Sequence, residues 1–341
     1  MSTVELTPRG LLHLLFNGER AIDVVHTAYE LGLLEDLEKG PVTLNTLSQK
    51  HNLRPVRLYK FLDCLESMGL VKREQTKDSI AEASYTAVPG LRAAAEKVVG
   101  PASLERDRER YPWYKLYGNL KEFLHTQDRH IPREDFAWPP STPKQVEGFE
   151  ASMAAGLGPI LEVFRMHGPN LWSPGQRLLE VGGGDGTLAA HLIDENPGLE
   201  VDVFNIPDTE ALVTRTREKH NLGNHLGFIG GNFLTQPLPK DYHAMSFVRV
   251  LHDWPAETAR QLMQAAYEAL PSKGRILICE EFRTAERLTA QFFWTYFLIG
   301  VDSCVSRLRE VEYYLMALKA VGFETLEVLP GPFEIIVATK P

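Results

Sequence analysis

Arg177-Leu178-Leu179-Glu180-Val181-Gly182-Gly183-Gly184-Asp185-Gly186-Thr187-Leu188-Ala189-Ala190-His191-Leu192 is the stretch on which the fold turns. A short apolar run closes on an acid, passes through glycines at 182, 183, 184 and 186, and emerges into helix formers with apolar residues at helical spacing. That succession is strand, tight turn, helix. Glycine suits such a turn because it leaves no Cβ where a ligand would press against the backbone. The spacing argues against two phosphate cradles. A dinucleotide loop asks for glycines at its first, third and sixth positions, and the sixth here is Thr187; a P-loop ends in Gly-Lys-Ser/Thr, which is absent. What stands over residues 180–186 is Glu-x-Gly-x-Gly-x-Gly. The plainer reading is a glycine-rich turn in an ordinary α/β domain.

Around this loop the composition bounds the possibilities. At 341 residues with 44% hydrophobic side chains, the chain suggests two domains with proper cores. A formal charge of −9 and the lack of any long block of like charge argue against nucleic acid as a partner. Cys64, Cys279 and Cys304 lie far apart with no CxxC, which fits a reducing compartment, offers no metal site and makes the cytoplasm the expected location. No apolar run approaches the length of a membrane span, since even 292–301 is interrupted by Thr295 and followed by Asp302.

The N-terminal third reads as helices over 8–34, with Leu11, Leu12, Leu14 and Leu15 leading the apolar pattern. A helix from Val42, a second over 55–68 and two extended pieces, 70–72 and 84–88, give helix, turn, helix and a small β wing. A winged helix serves either DNA binding or dimerisation. Near balance of acids and bases through residues 1–100 favours dimerisation, because a DNA reader needs excess Lys and Arg. Residues 102–140 are rich in aromatics, and a helix over 145–164 carries Phe149 and Met153 one turn apart. Such residues are either core or the walls of a pocket for a flat aromatic substrate, with Trp294 expected beside them. The expected domains are therefore 1–100, a connector at 101–165, and 166–341.

Beyond the glycine loop, strands and helices alternate as a doubly wound parallel sheet requires, with strands at 200–206, 226–229, 244–250 and 275–280 and helices at 187–196, 209–220 and 256–270. An antiparallel hairpin over 325–339 turns at Pro330-Gly331-Pro332 and closes the domain. Ligands sit at the carboxyl ends of such strands. Those ends present Glu180, Asn205, Asn232, residues 249–253 and Glu280.

Glu180 to Gly186 resembles motif I of class I S-adenosylmethionine-dependent methyltransferases. Together with Phe204-Asn205-Ile206-Pro207, Gly230-Gly231-Asn232-Phe233, Leu251-His252-Asp253-Trp254 and Ala320-Val321-Gly322-Phe323, it falls in the order found in plant-caffeate-type and bacterial antibiotic-tailoring O-methyltransferases. The resemblance implies S-adenosyl-L-methionine as cofactor, held by Glu180, Gly182, Gly184, Asn205, Asn232, Phe233 and Arg249. It implies a homodimer through the N-terminal domain, a small aromatic substrate against Phe149 and Met153, His252 as the base and Glu280 beside it. The chemistry agrees, since a phenol with a pKa near 10 is mostly neutral at pH 7 and a carboxylate-supported histidine can take its proton. Asp253, just before Trp254 and Pro255, is expected to cap the following helix.

Three departures stand against the pattern. Relatives commonly carry aspartate where this chain has Asn205 and Asn232, and a second glutamate beside the histidine where it has Leu308. The last leaves room for methylation of a ring carbon ortho to a phenol. A winged-helix ligand-sensing regulator is the reading from another class; it leaves His252 and Glu280 without a role. A nicotinamide dehydrogenase is disfavoured by the glycine spacing and the closing hairpin.

Overall fold

A computed structural model of the chain describes residues 7–74, 83–101, 140, 142–284, 287 and 306–341. The aromatic stretch at 102–139 and the expected substrate residue Trp294 lie outside the described residues. Contacts divide the chain into two compact units, Met1–Tyr114 and Lys115–Pro341.

In the first unit, helices α1 (Pro8–Phe16), α2 (Gly18–Glu30) and α3 (Leu33–Glu38) precede β1 (Val42–Thr43). Helices α4 (Leu44–Lys50) and α5 (Pro55–Ser67) follow, then β2 (Val71–Glu74), β3 (Ser84–Ala87) and α6 (Leu91–Val99). Thr43 starts α4 by accepting the Thr46 N–H, as a helix N-cap should. The three strands pair antiparallel in the order β1-β3-β2. Leu34, Leu47, Leu62 and Tyr85 are fully enclosed in one core. Helix, turn, helix and wing stand as the sequence suggests; α6, with only its Leu91, Ala95 and Val99 stripe turned inward, escapes that reading. No residue of α1 is buried, and Leu12, Leu15 and Phe16 are exposed at 67%, 65% and 85%.

The second unit is a seven-stranded sheet in the order β6-β5-β4-β7-β8-β10-β9. Its strands are β4 (Arg177–Val181), β5 (Glu200–Asn205), β6 (Leu226–Gly230), β7 (Ala244–Val248), β8 (Arg275–Cys279), β9 (Glu324–Leu329) and β10 (Ile335–Thr339). Strands β4 to β8 run parallel, and β10 inserts antiparallel between β8 and β9. Near-continuous apolar runs such as Arg-Ile-Leu-Ile-Cys suit strands covered on both faces. Alternation then divides the core. Leu178, Leu277 and Ile335 face a layer with α8 (Gly158–Leu171), α9 (Thr187–Glu195) and α10 (Glu210–Lys219). Leu179, Ile276, Ile278 and Ile336 face α11 (Ala256–Ala269) and α12 (Val311–Val321).

The helix expected over 145–164 is two helices, α7 (Pro143–Ala155) and α8, broken at Gly156. A Cβ on Gly156 would lie 2.6 Å from an Arg249 nitrogen, and Arg249 Nη2 donates to the Met153 carbonyl at 2.8 Å. The guanidinium thus satisfies an end carbonyl that a continuing helix would have paired itself.

Candidate active site

A cavity of about 380 Å³ opens over the carboxyl ends of β4, β5, β6 and β7, within the range of about 300–1,000 Å³ usual for small-molecule sites. Glu180, Gly182, Gly184 and Asn205 line it from the first two strands, and Asn232, Phe233 and Arg249 from the next two. Phe149 and Met153 of α7 cover it, and His252 closes one side. Glu280 sits behind the histidine. Every sequence-derived site residue among the described residues is therefore at one place.

The glycine loop is shaped by backbone freedom. Gly182 and Gly184 adopt φ of +73° and +59°, and a Cβ on Gly182 would stand 2.8 Å from Val250 Cγ2. At Gly184 a Cβ would meet the Glu150 carboxylate at 2.5 Å. Below the loop Glu180 is 2% exposed, and its Oε2 is buried with no hydrogen-bond partner. Burial and the neighbouring Asp185 push Glu180 up to about 8. Asn205 is partly committed to the chain itself: its Oδ1 accepts the Ile206 N–H at 2.8 Å and its Nδ2 donates to Gly184 O at 3.4 Å. Asn232 Oδ1 accepts from the Leu234 N–H, and Phe233 packs edge-on to Trp254.

The histidine end is shaped by charge. His252 lies on a short turn, Leu251–Asp253, and is 4% exposed. Its Nδ1 donates to Glu280 Oε2, while Glu280 Oε1 accepts the backbone N–H groups of Val250 and Leu251 at 3.0 and 2.7 Å. The carboxylate thereby fixes the ring and the turn together. The N-cap of α11 is Pro255, which offers no side-chain capping bond. Asp253 Oδ1 lies 3.3 Å from His252 Nε2. Burial opposes charge on the imidazole, but Asp253 and Glu280 outweigh it and raise the ring to about 9. Between two carboxylates His252 holds a proton at neutral pH.

Glu150 and Arg309 are among the residues at the site that the sequence reading does not single out. Glu150 is buried one turn from Val146 on α7, and burial, then Asp185, raises its carboxyl to about 7. An acid at that spacing within the buried stripe is a signal the sequence does contain. Arg309, 3% exposed, follows the Leu308 position. Its guanidinium donates to the carbonyls of Leu251 and Trp254, the Arg307 N–H donates to His252 O at 3.0 Å, and Ser306 Oγ donates to Asp253 O at 3.4 Å. The four carbonyls from Leu251 to Trp254 are thus held by residues 306–309.

The residues suit a cationic nucleoside ligand with an amino-acid head: a glycine cradle, an orphaned buried carboxylate oxygen, an aromatic face at Phe233 and an excess of acids over the one guanidinium. Among the described residues no group of His, Cys, Asp and Glu could hold a metal ion. No helix among them is long and apolar enough to cross a membrane. The sheet order with its antiparallel closing hairpin defines a class I methyltransferase domain.

Comparison with known proteins agrees. The O-methyltransferase domain profile matches residues 162–324, and the O-methyltransferase dimerisation domain profile matches 13–89. The chain is 27% identical to the N,N-dimethyltransferase OxyT of Streptomyces rimosus over 364 aligned residues, covering 100% of both. It is 26% identical to the tetracenomycin polyketide synthesis 8-O-methyl transferase TcmO of Streptomyces glaucescens, covering 97% of this chain and 95% of that one. The crystal structure of the S-adenosylmethionine-dependent methyltransferase SibL in its apo form superposes with a TM-score of 0.67 at 21% identity, covering 99% of this chain and 100% of that one. With both domains matched in order, the chain belongs to the S-adenosylmethionine-dependent O-methyltransferase family. The regulator and dehydrogenase readings fall away, and ring-carbon methylation gains no preference.

Proposed function

We propose that this enzyme methylates a hydroxyl of a small aromatic substrate, that His252 is the general base, and that it works as a homodimer in the cytoplasm. When bound, S-adenosylmethionine supplies a methyl group on a positively charged sulfur. Methyl transfer from such a donor needs alignment and a deprotonated nucleophile more than help for the leaving group. Glu180, Gly182, Gly184, Asn205, Asn232, Phe233 and Arg249 would hold the cofactor, and Phe149 and Met153 the substrate.

The observation that carries the reading is the buried His252 facing the cavity with Glu280 bonded behind it. Glu280 fixes Nδ1, so Nε2 is the nitrogen left for a substrate proton. Asp253 now faces Nε2, and a phenolic hydroxyl must take that place before a proton can move. Exchanging the carboxylate for a neutral hydroxyl removes a charge that raises the ring's pKa. Burial and Arg249, which both lower it, are then opposed by Glu280 alone, which shifts the ring toward the neutral imidazole that a base requires. The exposed apolar face of α1 supports self-association, closed twofold pairing being the commonest arrangement.

The test is a mass-spectrometric screen of phenolic compounds with S-adenosylmethionine. Methylated product from the wild type and loss of it in His252→Ala supports the reading. Products methylated only on amines or ring carbons would remove the O-methylation claim. Light scattering at micromolar concentration should give twice the chain mass.

A further inference from the structure

The mechanism above leaves one buried acid unused. Glu150 is 9% exposed, lines the cavity, and reaches over the glycine loop so closely that its Oε2 lies 2.5 Å from where a Gly184 side chain would begin. The groups facing it come from three elements. Glu180 lies on β4 and Asp185 in the β4–α9 connection, Arg249 follows β7, and His252 and Asp253 line the same cavity farther round. On its own helix, Lys144 and Glu147 are exposed, and Glu147 pairs with Arg215 at 2.7 Å. Three carboxyl groups therefore crowd the loop against one guanidinium that already donates to Met153 O.

Such crowding is unfavourable unless the acids hold protons or meet a cation. Burial comes first and Asp185 second in raising Glu150 to about 7, with Arg249 offsetting part of it. An independent sign of a cationic ligand is Glu180, a residue of the same cavity lining whose buried Oε2 has no partner. A metal is not that cation, because no metal-binding group is present among the described residues. The cavity has two chemically distinct ends. Phe233 and the Asn232 amide lie past β6, suited to a flat base, and the acids lie past β4.

We propose that Glu150 receives the α-ammonium group of the cofactor's methionine head and gives up a proton as it does so. The inference rests on reading this cavity as the S-adenosylmethionine site. In the exchange the carboxyl O–H bond breaks, its proton passes to solvent, and the carboxylate left behind pairs with an ammonium that is already protonated. Cofactor binding is thereby linked to pH at an acid that takes no part in the methyl transfer.

Titration calorimetry with S-adenosylhomocysteine, which keeps the amino-acid head, tests this. Run at pH 6.5 in buffers of different ionisation enthalpy, the wild type should release most of one proton per ligand bound, and much less at pH 8.5. 5′-Methylthioadenosine, which lacks the head, should bind without that release. Glu150→Gln should bind S-adenosylhomocysteine about 10–100-fold more weakly with the release lost, while its affinity for 5′-methylthioadenosine stays near wild type. If the wild type binds S-adenosylhomocysteine without proton release, or if Glu150→Gln releases as much as the wild type, the proposal is overturned while the site stands. If the wild type does not bind S-adenosylhomocysteine at all, the site reading fails and takes the proposal with it. Should Glu150→Gln not fold, Glu150→Asp takes its place: withdrawal of the carboxyl by one methylene should weaken S-adenosylhomocysteine binding and leave 5′-methylthioadenosine binding near wild type, and equal affinity of wild type and variant for S-adenosylhomocysteine would overturn the proposal.

Discussion

Gly182 and His252 follow neighbouring strands, β4 and β7, and face the same cavity, yet the two ends are built on different physics. The glycine loop is a matter of volume and backbone angle: positive φ at residues 182 and 184, and no side chain to intrude. The histidine turn is a matter of charge. Its ring sits between two carboxylates, Glu280 accepts two backbone N–H groups, and residues 306–309 hold the four carbonyls from Leu251 to Trp254. A site of the first kind fails when something is added. One of the second kind fails by degrees, as each charge is removed.

The sharpest way to break the contrast is at the loop. Gly184→Val places a branched side chain at φ +59° and into the Glu150 carboxylate, and should abolish S-adenosylhomocysteine binding by calorimetry while circular dichroism stays near wild type. Unchanged affinity would mean that the loop does not hold the ligand. At the other end, Glu280→Gln should lower turnover by less than removal of the histidine does. Paired with His252→Ala it should add almost nothing, because the glutamate then has no ring to orient. Additive losses in that double-mutant cycle would separate the two residues.

A smaller effect separates buried acid from useful acid. Glu150 has a reference pKa of 4.5 and a folded value of about 7, so the folded state keeps a proton that the unfolded state loses. Stability therefore falls as pH rises from about 4.5 to 7 and levels off above it. Denaturant titration of Glu150→Gln against wild type should show the variant gaining, from pH 5 to pH 8, on the order of 3 kcal/mol. A constant difference across that range would deny the burial its cost. Asp253→Asn is subtler still. It removes one of the charges that raise His252, so the acidic limb of the rate profile should move to lower pH by about 1 unit, with affinity for S-adenosylhomocysteine unchanged.

The same contrast explains what was legible in the sequence. The loop, the strand order and the closing hairpin follow from local rules, glycine spacing, apolar runs and turn residues, and these act within a few neighbours. His252 and Glu280, 28 positions apart, come together because parallel strands put both at one edge, which the alternation already implied. The nearness of Asp253 to the His252 ring is not legible locally, because a helix that begins three residues later draws the eye first. The break at Gly156 depends on an arginine 93 positions away, and the clamp of Arg309 on the histidine turn depends on one 55 positions away, so neither could be read locally. Helix α12 was missed as an element, although its end at Ala320-Val321-Gly322-Phe323 was noticed as a motif.

What remains central is whether His252 removes the proton or only forms part of the wall. Once the screen supplies a phenolic substrate, single-turnover methyl transfer by wild type and His252→Ala at pH 7 and pH 9 tests this most directly. The expected result is a 10²–10⁴-fold loss at pH 7, roughly the worth of a general base, that narrows at pH 9 as the phenol ionises unaided. A variant that transfers as fast as the wild type, or equally fast at both pH values, would contradict it.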